Sequence, residues 1–393
     1  MTTTSSRPVR IPGVDWLLLA AVLALTVLGT LLVWSATSTR DDLTAGDSGA
    51  YLAKQVVNVA LGFVLMVVVM TTDHRWVRIL APLVYVASVA GLVLVLVMGT
   101  TVNGSRSWLM VGGMSIQPSE FAKLAVVVGM ALVVAERSEG RWRGRVGGVD
   151  VLTMLAVAAV PATLIMLQPD LGTMLVLSAT VFGVLAASGA RRRWLALLAA
   201  GGVAAGAAAV LGGFLKDYQI DRFMAFTNPG LDPRGAGYNV EQSRIAIGNG
   251  GLFGQGLFHG SQTRSGFVPE QHTDFVFTVA GEELGLVGAG VLIALLGIIL
   301  WRALAIASRT DDVFGRIAAA GIACWFGFQA FQNIGMCLGI MPVTGVPLPF
   351  VSYGGSSMFA GMLAVGLLQN IHLRALSAPA ARMTPTPRVL VRS

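Results

Sequence analysis

Charge is scarce in this sequence. Asp, Glu, Lys and Arg make up 12% of its 393 residues, against about 25% in soluble domains. With 55% hydrophobic residues and a mean hydropathy of +0.74, a water-soluble fold is excluded and an integral membrane protein is implied. Cysteine is nearly absent. Cys324 and Cys337 lie in apolar sequence and read as small packed residues, neither a disulfide framework nor a metal pair. Walker loops, zinc-ligand spacings and Gly-x-Ser-x-Gly elbows are all missing, so nothing supports nucleotide-driven or serine-hydrolase chemistry. The net charge of +7 does not mark a nucleic-acid binder. Its basic residues fall in small groups between apolar runs, where orientation signals belong.

Long apolar runs are what the chain has in abundance. A span of the hydrocarbon core needs about 20 apolar residues. Ten runs meet that need, at about 15–35, 53–71, 77–99, 119–135, 150–167, 171–188, 194–214, 275–301, 314–337 and 356–373. The expected fold is an all-α integral membrane protein of about ten transmembrane helices, with a long extracytoplasmic loop between helices 7 and 8. Residues 1–14 read as an N-terminal tail, 15–376 as the polytopic membrane domain with the large loop at 215–274, and 377–393 as a disordered tail rich in proline. The first run is too long for a cleaved signal peptide and nine more follow it. Assigning alternate loops to alternate faces puts 18 of the 27 Lys and Arg residues on one side. Positive residues stay cytoplasmic, so both tails are expected in the cytoplasm.

The opposite, extracytoplasmic face collects the polar motifs. Asn103-Gly-Ser-Arg-Ser-Trp108 is expected as a loop and leads into Gln117-Pro-Ser-Glu120. Pro118 suits a first helical turn, and Gln117, Glu120 and Lys123 recur close to one helix face. The Glu–Lys pair either braces the span or places both charges in a polar cavity. In Gln168-Pro-Asp-Leu-Gly172, Asp170 is a helix cap by residue type. The long loop contains a turn-dense string at 228–237, a short helical stretch around Gln242-Ser-Arg-Ile-Ala-Ile247, and a glycine string at 248–260. That string suits either a phosphate loop or a hinge. Finally, 342–357 is irregular backbone entering the last span, which survives at membrane depth only when buried in protein or lining a cavity.

The densest chemistry is in 266–283. Glu270, Asp274, Glu282 and Glu283 put four carboxylates within fourteen positions of a chain holding only 20 acidic residues. Ionisable groups at a membrane boundary are functional candidates by default. Asp274 reads either as the cap of the eighth span or as a catalytic group. His272 either braces the loop or exchanges a proton.

These motifs resemble the SEDS family (shape, elongation, division and sporulation) of cell-wall glycan polymerases. The resemblance runs through nearly the whole chain and rests on Gln117-Pro-Ser-Glu120, Gln168-Pro-Asp-Leu-Gly172, Pro269-Glu-Gln-His-Thr-Asp-Phe275, Gly281-Glu-Glu-Leu-Gly285 and Pro347-Leu-Pro-Phe-Val-Ser-Tyr-Gly-Gly-Ser-Ser357. Gln271 and the 242–248 stretch are most similar to the rod-shape elongation branch, with a division or sporulation paralogue as the alternative. The resemblance implies polymerisation of lipid II at the outer face of the cytoplasmic membrane, with release of polyprenyl pyrophosphate. It maps the family's essential aspartate onto Asp274, a suitable general base for the acceptor hydroxyl.

On that reading Arg106, Lys123 and Arg244 face the pyrophosphate, Glu120 orients Lys123, and Glu283 and His272 support the base. Trp108, Gln117, Gln242, Ser243, Thr273, Ser352, Tyr353 and Ser356 complete the expected substrate cleft, with Asp170, Glu270 and Pro347 shaping it. A divalent cation, Mg2+ or Mn2+, could bridge pyrophosphate and a carboxylate, but no ligand spacing identifies a metal or other cofactor. The implied partners are lipid II, membrane lipids and a class B penicillin-binding protein, with no nucleic acid. A lipid-precursor transporter fits ten spans and broken helices too, as does a silent scaffold. Chemistry concentrated on one face favours an enzyme.

Overall fold

Apolar runs become helices here, and short carboxylates fix several of their starts. The computed structural model describes residues 13–377 apart from 45, 103–104, 113, 139–145, 214–219, 221 and 223–234. The expected tails lie almost entirely outside the described residues, as does most of the turn-dense string at 228–237. Asp15 opens α1 (Trp16–Ser38) by accepting from Leu18 N. After a single turn, α2 (Asp41–Thr44), come α3 (Ala50–Thr71) and α4 (His74–Met98), the latter capped by Asp73. α5 (Pro118–Ser138) begins on its proline, and α6 (Gly148–Leu167) is followed by α7 (Leu171–Ala187), capped by Asp170. α8 (Arg192–Leu211), α9 (Ala236–Gly250), α10 (Ser261–Ser265) and α11 (Val276–Arg309) come next. α12 (Val313–Cys337), capped by Asp312, and α13 (Gly355–Ser377) complete the chain.

Among the described residues nine helices are long and apolar enough to cross a membrane, and α7, at 17 residues, is a tenth apolar helix. Each of the ten expected runs is one of them. Three local expectations need correction. The segment between α4 and α5, read as a loop, is a three-stranded antiparallel sheet: β1 (Thr100–Val102), β2 (Ser105–Val111) and β3 (Met114–Ile116). The alternation in Ser105-Arg-Ser-Trp-Leu is a strand signal, and it buries Ser107 while leaving Arg106 exposed. The helix near 242–247 is a full 15 residues. The eighth span is 34 residues long and broken at Gly285.

α12 lies at the centre, packed against α11, α7 and α5, while α13 packs against α3. α8 has no buried residue and rides on the outside. Close approach is set by small residues: a Cβ at Gly183 of α7 would stand 2.2 Å from Cys324 Sγ of α12. Cys324 and Cys337 are both free thiols, as packing residues should be. At the end of the bundle opposite the sheet, Arg302 holds Asp15 at 2.6 Å. Gln369 meets the backbone of Asp15 from both its donor and its acceptor. That knot ties α1, α11 and α13 together.

The last carbonyls of α3 have no partner within their own helix. Asn370 Nδ2 serves them, lying 2.6 Å from Thr72 O and 3.1 and 3.2 Å from Val69 O and Met70 O. Asn370→Leu should therefore lower stability by about 1–3 kcal/mol, the cost of leaving buried carbonyls unmet. A drop in the thermal unfolding midpoint of the detergent-purified protein checks it.

Candidate active site

Six chain segments converge on one polar cleft of about 170 Å3. β2 contributes Ser105, Ser107 and Trp108, and the foot of α5 contributes Gln117. The α6–α7 turn adds Pro169 and Asp170, and Arg222 enters from between α8 and α9. Glu270, Thr273 and Asp274 come from the segment before α11, and Thr344, Gly345, Pro347, Tyr353 and Ser356 from the α12–α13 connection. Of the residues singled out in the sequence, nine stand on this wall together: Trp108, Gln117, Asp170, Glu270, Thr273, Asp274, Pro347, Tyr353 and Ser356.

Asp274 is the half-buried carboxylate at the centre of the question. It does not cap α11: the N-cap is Phe275, and no side chain bonds there. Its backbone is fully engaged. Asp274 N donates to Glu270 O at 3.0 Å, and its carbonyl accepts from Asn333 Nδ2 at 2.7 Å. Among the described residues no donor bonds the carboxylate itself. Burial raises its pKa first and the neighbouring Glu270 adds to the rise, against Arg222, which opposes it; the result is about 7. Asp170, by contrast, does cap: it accepts from Thr173 N at 2.9 Å and Thr173 Oγ1 at 2.8 Å, and meets Gln117 Nε2 at 3.3 Å.

His272 is buried behind the wall, edge-on to Tyr51 with ring centroids 5.1 Å apart. Burial lowers its pKa, Glu270 works against that and Arg40 adds to it, so the ring is neutral at neutral pH. Its carbonyl accepts from Tyr353 N at 2.8 Å, a bracing role. Ser352 Oγ accepts from Leu348 N at 2.8 Å, and Ser356 Oγ from Gln117 N at 2.9 Å. Glu270 and Phe350 hold the left-handed backbone conformation that favours glycine, with φ of +51° and +66°. Strain of this kind persists where the surroundings over-determine it.

Other expected residues lie elsewhere. Arg106 turns away from the cleft and caps α4, donating to Gly99 O, Leu96 O and Val97 O at 2.7, 3.0 and 3.0 Å. Lys123 is sealed between α5 and α12, 2.7 Å from both Glu120 Oε1 and Gln329 Oε1 and over the Trp325 ring. Both charges are buried, at 0% and 2% exposure, and neither lines the cleft. Arg244 is exposed on α9 beside Glu241, half-buried Gln242 is not on the cleft wall, and Ser243 Oγ donates to Cys337 O at 2.6 Å. Glu283 accepts from Ser35 Oγ at 2.6 Å and so braces α1 against α11.

The sequence reading missed the residues that hold the site up. Gln329 Nε2 donates to Pro347 O, Gln332 Nε2 to Thr344 Oγ1, and Asn333 Nδ2 to Val346 O, at 2.9, 2.7 and 2.7 Å. Their signal was present: three amides at i, i+3 and i+4 in an apolar helix share one face. Arg222, Ser105, Ser107 and Thr344 were not singled out as site residues either: Ser105 and Ser107 lie in a strand read as a loop, and single polar residues outside a helical repeat carry no such signal.

The fold and the cleft together define a polytopic membrane protein with its chemistry gathered at one end of the bundle. Residues 15–376 match the family model described as "Cell cycle protein", that of FtsW, RodA and SpoVE, and the chain belongs to this family. It is 37% identical over 376 residues to the probable peptidoglycan glycosyltransferase FtsW of Trichlorobacter lovleyi, covering 95% of this chain and 97% of that protein. It is 37% identical to the stage V sporulation protein E of Bacillus subtilis, covering 94% and 98%, and 38% identical to the peptidoglycan glycosyltransferase MrdB of Escherichia coli, covering 91% and 93%. The solved rod-shape-determining protein RodA of Thermus thermophilus superposes with a TM-score of 0.66 at 32% identity, covering 92% and 97%. A chain from a peptidoglycan synthase complex that coordinates polymerization and crosslinking gives 0.76 at 32%, covering 92% and 98%. The FtsW, stage V sporulation and MrdB relatives thus lie at similar identity, and identity alone does not choose among them.

Since Lys123 and Glu120 neutralise each other away from solvent, removing one leaves the other buried and uncompensated, a change worth about 3–5 kcal/mol. Lys123→Met should lower the unfolding midpoint sharply, and adding Glu120→Gln should restore much of it. A double variant no more stable than Lys123→Met would contradict a bracing role.

Proposed function

We propose that this chain is a peptidoglycan glycosyltransferase that polymerises lipid II at the outer face of the cytoplasmic membrane, with Asp274 as general base. The observation that carries the reading is a cleft-facing carboxylate with its backbone pinned, its side chain unbonded among the described residues and its pKa near 7. A base works best when its pKa lies near the working pH. The acceptor sugar hydroxyl gives its proton to Asp274. Its oxygen bonds the anomeric carbon of the lipid-linked donor, and the bond from that carbon to pyrophosphate breaks. Proton transfer of this kind contributes about 10²–10⁴-fold, and holding two membrane-anchored sugars in line supplies much of the rest.

Negative charge grows on the departing pyrophosphate, so a cation in the cleft stabilises the transition state. Arg106 and Lys123 do not line the cleft, and Arg222, which does, supports this role best. Among the described residues no three His, Cys, Asp or Glu side chains gather as metal ligands. A Mg2+ or Mn2+ ion arriving on pyrophosphate would need only one or two carboxylates, and Glu270 on the wall would supply one.

The distribution of Lys and Arg supports cytoplasmic termini and an outward cleft. Likeness to a synthase complex supports a crosslinking partner, a class B penicillin-binding protein. Gln271 and the 242–248 stretch support service in elongation.

The pH dependence tests the base. Asp274 must be ionised, so kcat/KM on labelled lipid II should fall about tenfold per pH unit below its pKa of about 7 and level off above it. Glu270→Gln removes a charge that raises this pKa, so the acid limb should move to lower pH; Arg222→Ala should move it higher. Asp274→Asn should give no glycan ladder while remaining folded. Equal ladders from wild type and Asp274→Asn would remove Asp274 from the mechanism.

A further inference from the structure

α11 is longer than a membrane is thick. Its 34 residues span about 51 Å at 1.5 Å per residue, against a hydrocarbon core of about 30 Å. It is not continuous. At Gly285 the backbone takes φ +67° and ψ −167°, separating an outward piece, 276–284, from the long inner piece. Sharp breaks in helices have identifiable causes, one being an insertion into the hydrogen-bond ladder. Here the insertion is the glycine-rich stretch that follows α9.

Four backbone hydrogen bonds show how it enters. In an unbroken helix Leu286 N would bond Glu282 O, and Val287 N would bond Glu283 O. Instead Leu286 N donates to Gly251 O at 2.9 Å and Val287 N to Leu252 O at 3.1 Å. The two carbonyls left over accept from the same loop, Glu282 O from Gln255 N and Glu283 O from Gly256 N, both at 3.0 Å. The loop has replaced two helical bonds with four of its own. Only glycine allows the approach: a Cβ on Gly254 would stand 2.1 Å from Glu283 O, and one on Gly285 would stand 2.3 Å from Gly254 N. A carboxylate ties the same piece of α11 to α10. Glu282 accepts from Gln262 N at 2.7 Å and from Thr263 N and Oγ1 at 2.9 and 2.7 Å.

We propose that the 251–256 loop is a removable wedge in α11 that positions Asp274, resting on the reading of Asp274 as the base. The outward piece of α11 is fastened at both ends. Asn333 holds the Asp274 carbonyl at one end, and the wedge fixes the break at the other. With the wedge withdrawn, Gly285 is free to turn helical, the two helical i→i−4 bonds close, and the piece leading to Asp274 changes direction. Loop groups that lose partners then meet water at the outward face, so both arrangements keep their backbone bonds. Two such arrangements make a bistable element. The wedge tip is not packed into the protein: Leu252 and Phe253 are 61% and 80% exposed, so withdrawal removes little buried surface.

Gly254→Ala and Gly285→Ala, each in the full chain, test this against Gly248→Ala, whose added Cβ meets open space. Amide hydrogen exchange is read without substrate, so its result stands whether or not Asp274 is the base. In both test variants Gln255 and Gly256 should lose protection while Leu286 and Val287 keep theirs, now bonded within α11. Glycan polymerisation should fall by about 10²-fold, as misplacement of a catalytic group does, and the acid limb of the pH profile should move. Gly248→Ala should match wild type. Loss of protection at all four amides would mean local unfolding rather than a wedge. Loss at Gln255 and Gly256 with wild-type turnover and pH profile would show that the wedge does not position Asp274. Unchanged protection in Gly254→Ala, which lies on the loop and leaves the span intact, would overturn the wedge itself.

Discussion

Three amides on α12 carry the constraint on which the site depends. The α12–α13 connection is irregular backbone beside the bundle core, and its carbonyls cannot be left bare in such surroundings. Gln329 serves Pro347 O, Asn333 serves both Val346 O and Asp274 O, and Gln332 holds Thr344 through its hydroxyl. Because all three project from one face of one buried helix, they fix two unrelated segments in a common frame. Gln329 also accepts from Lys123 and from Trp325 Nε1. The buried ion pair of α5 is therefore part of the same support, linked to the cleft wall through Gln329 and not through contact with the cleft.

Much of the architecture was legible because it follows from length and hydropathy. Ten apolar runs have few alternatives to ten helices once every backbone group must find a partner inside the chain. Asp170 as a cap was legible because its side chain is short and the next residue begins an apolar run. The gathering of Gln117, Asp170, Asp274, Tyr353 and Ser356 was foreshadowed by their shared membrane face. What stayed hidden depends on which way a side chain points. A helix that is apolar all round does not reveal whether Lys123 faces a cavity or a neighbour. Arg106 sits in a strand whose alternation was short enough to pass for a loop. Gly285 is one glycine among many, and nothing near it in sequence announces that residues 251–256 will enter the ladder beside it.

The divided use of charge follows from the same geometry. Asp15 with Arg302 and Glu120 with Lys123 are close pairs that do not line the cleft. Glu282 engages both its oxygens with amides and hydroxyls of α10, and Glu283 engages Oε1 with the Ser35 hydroxyl. An oxygen engaged in this way is not open to a substrate hydroxyl. Asp274 is treated in the opposite manner, and that difference distinguishes it from the other buried acids.

A base with a pKa near neutrality needs desolvation without compensating donors on its oxygens. That requirement conflicts with precise placement, since the usual way to hold a carboxylate is to bond it. The structure resolves the conflict by holding the residue through its main chain. Glu270 O takes the Asp274 N–H and Asn333 takes its carbonyl, so the oxygens face the cleft while the backbone stays fixed. Glu270, which supplies that carbonyl from a left-handed conformation, also raises the Asp274 pKa by its charge. One residue therefore contributes to both the position and the basicity of Asp274. The strained backbone at Glu270 is best understood as the means by which its carbonyl and its carboxylate are presented to the same neighbour.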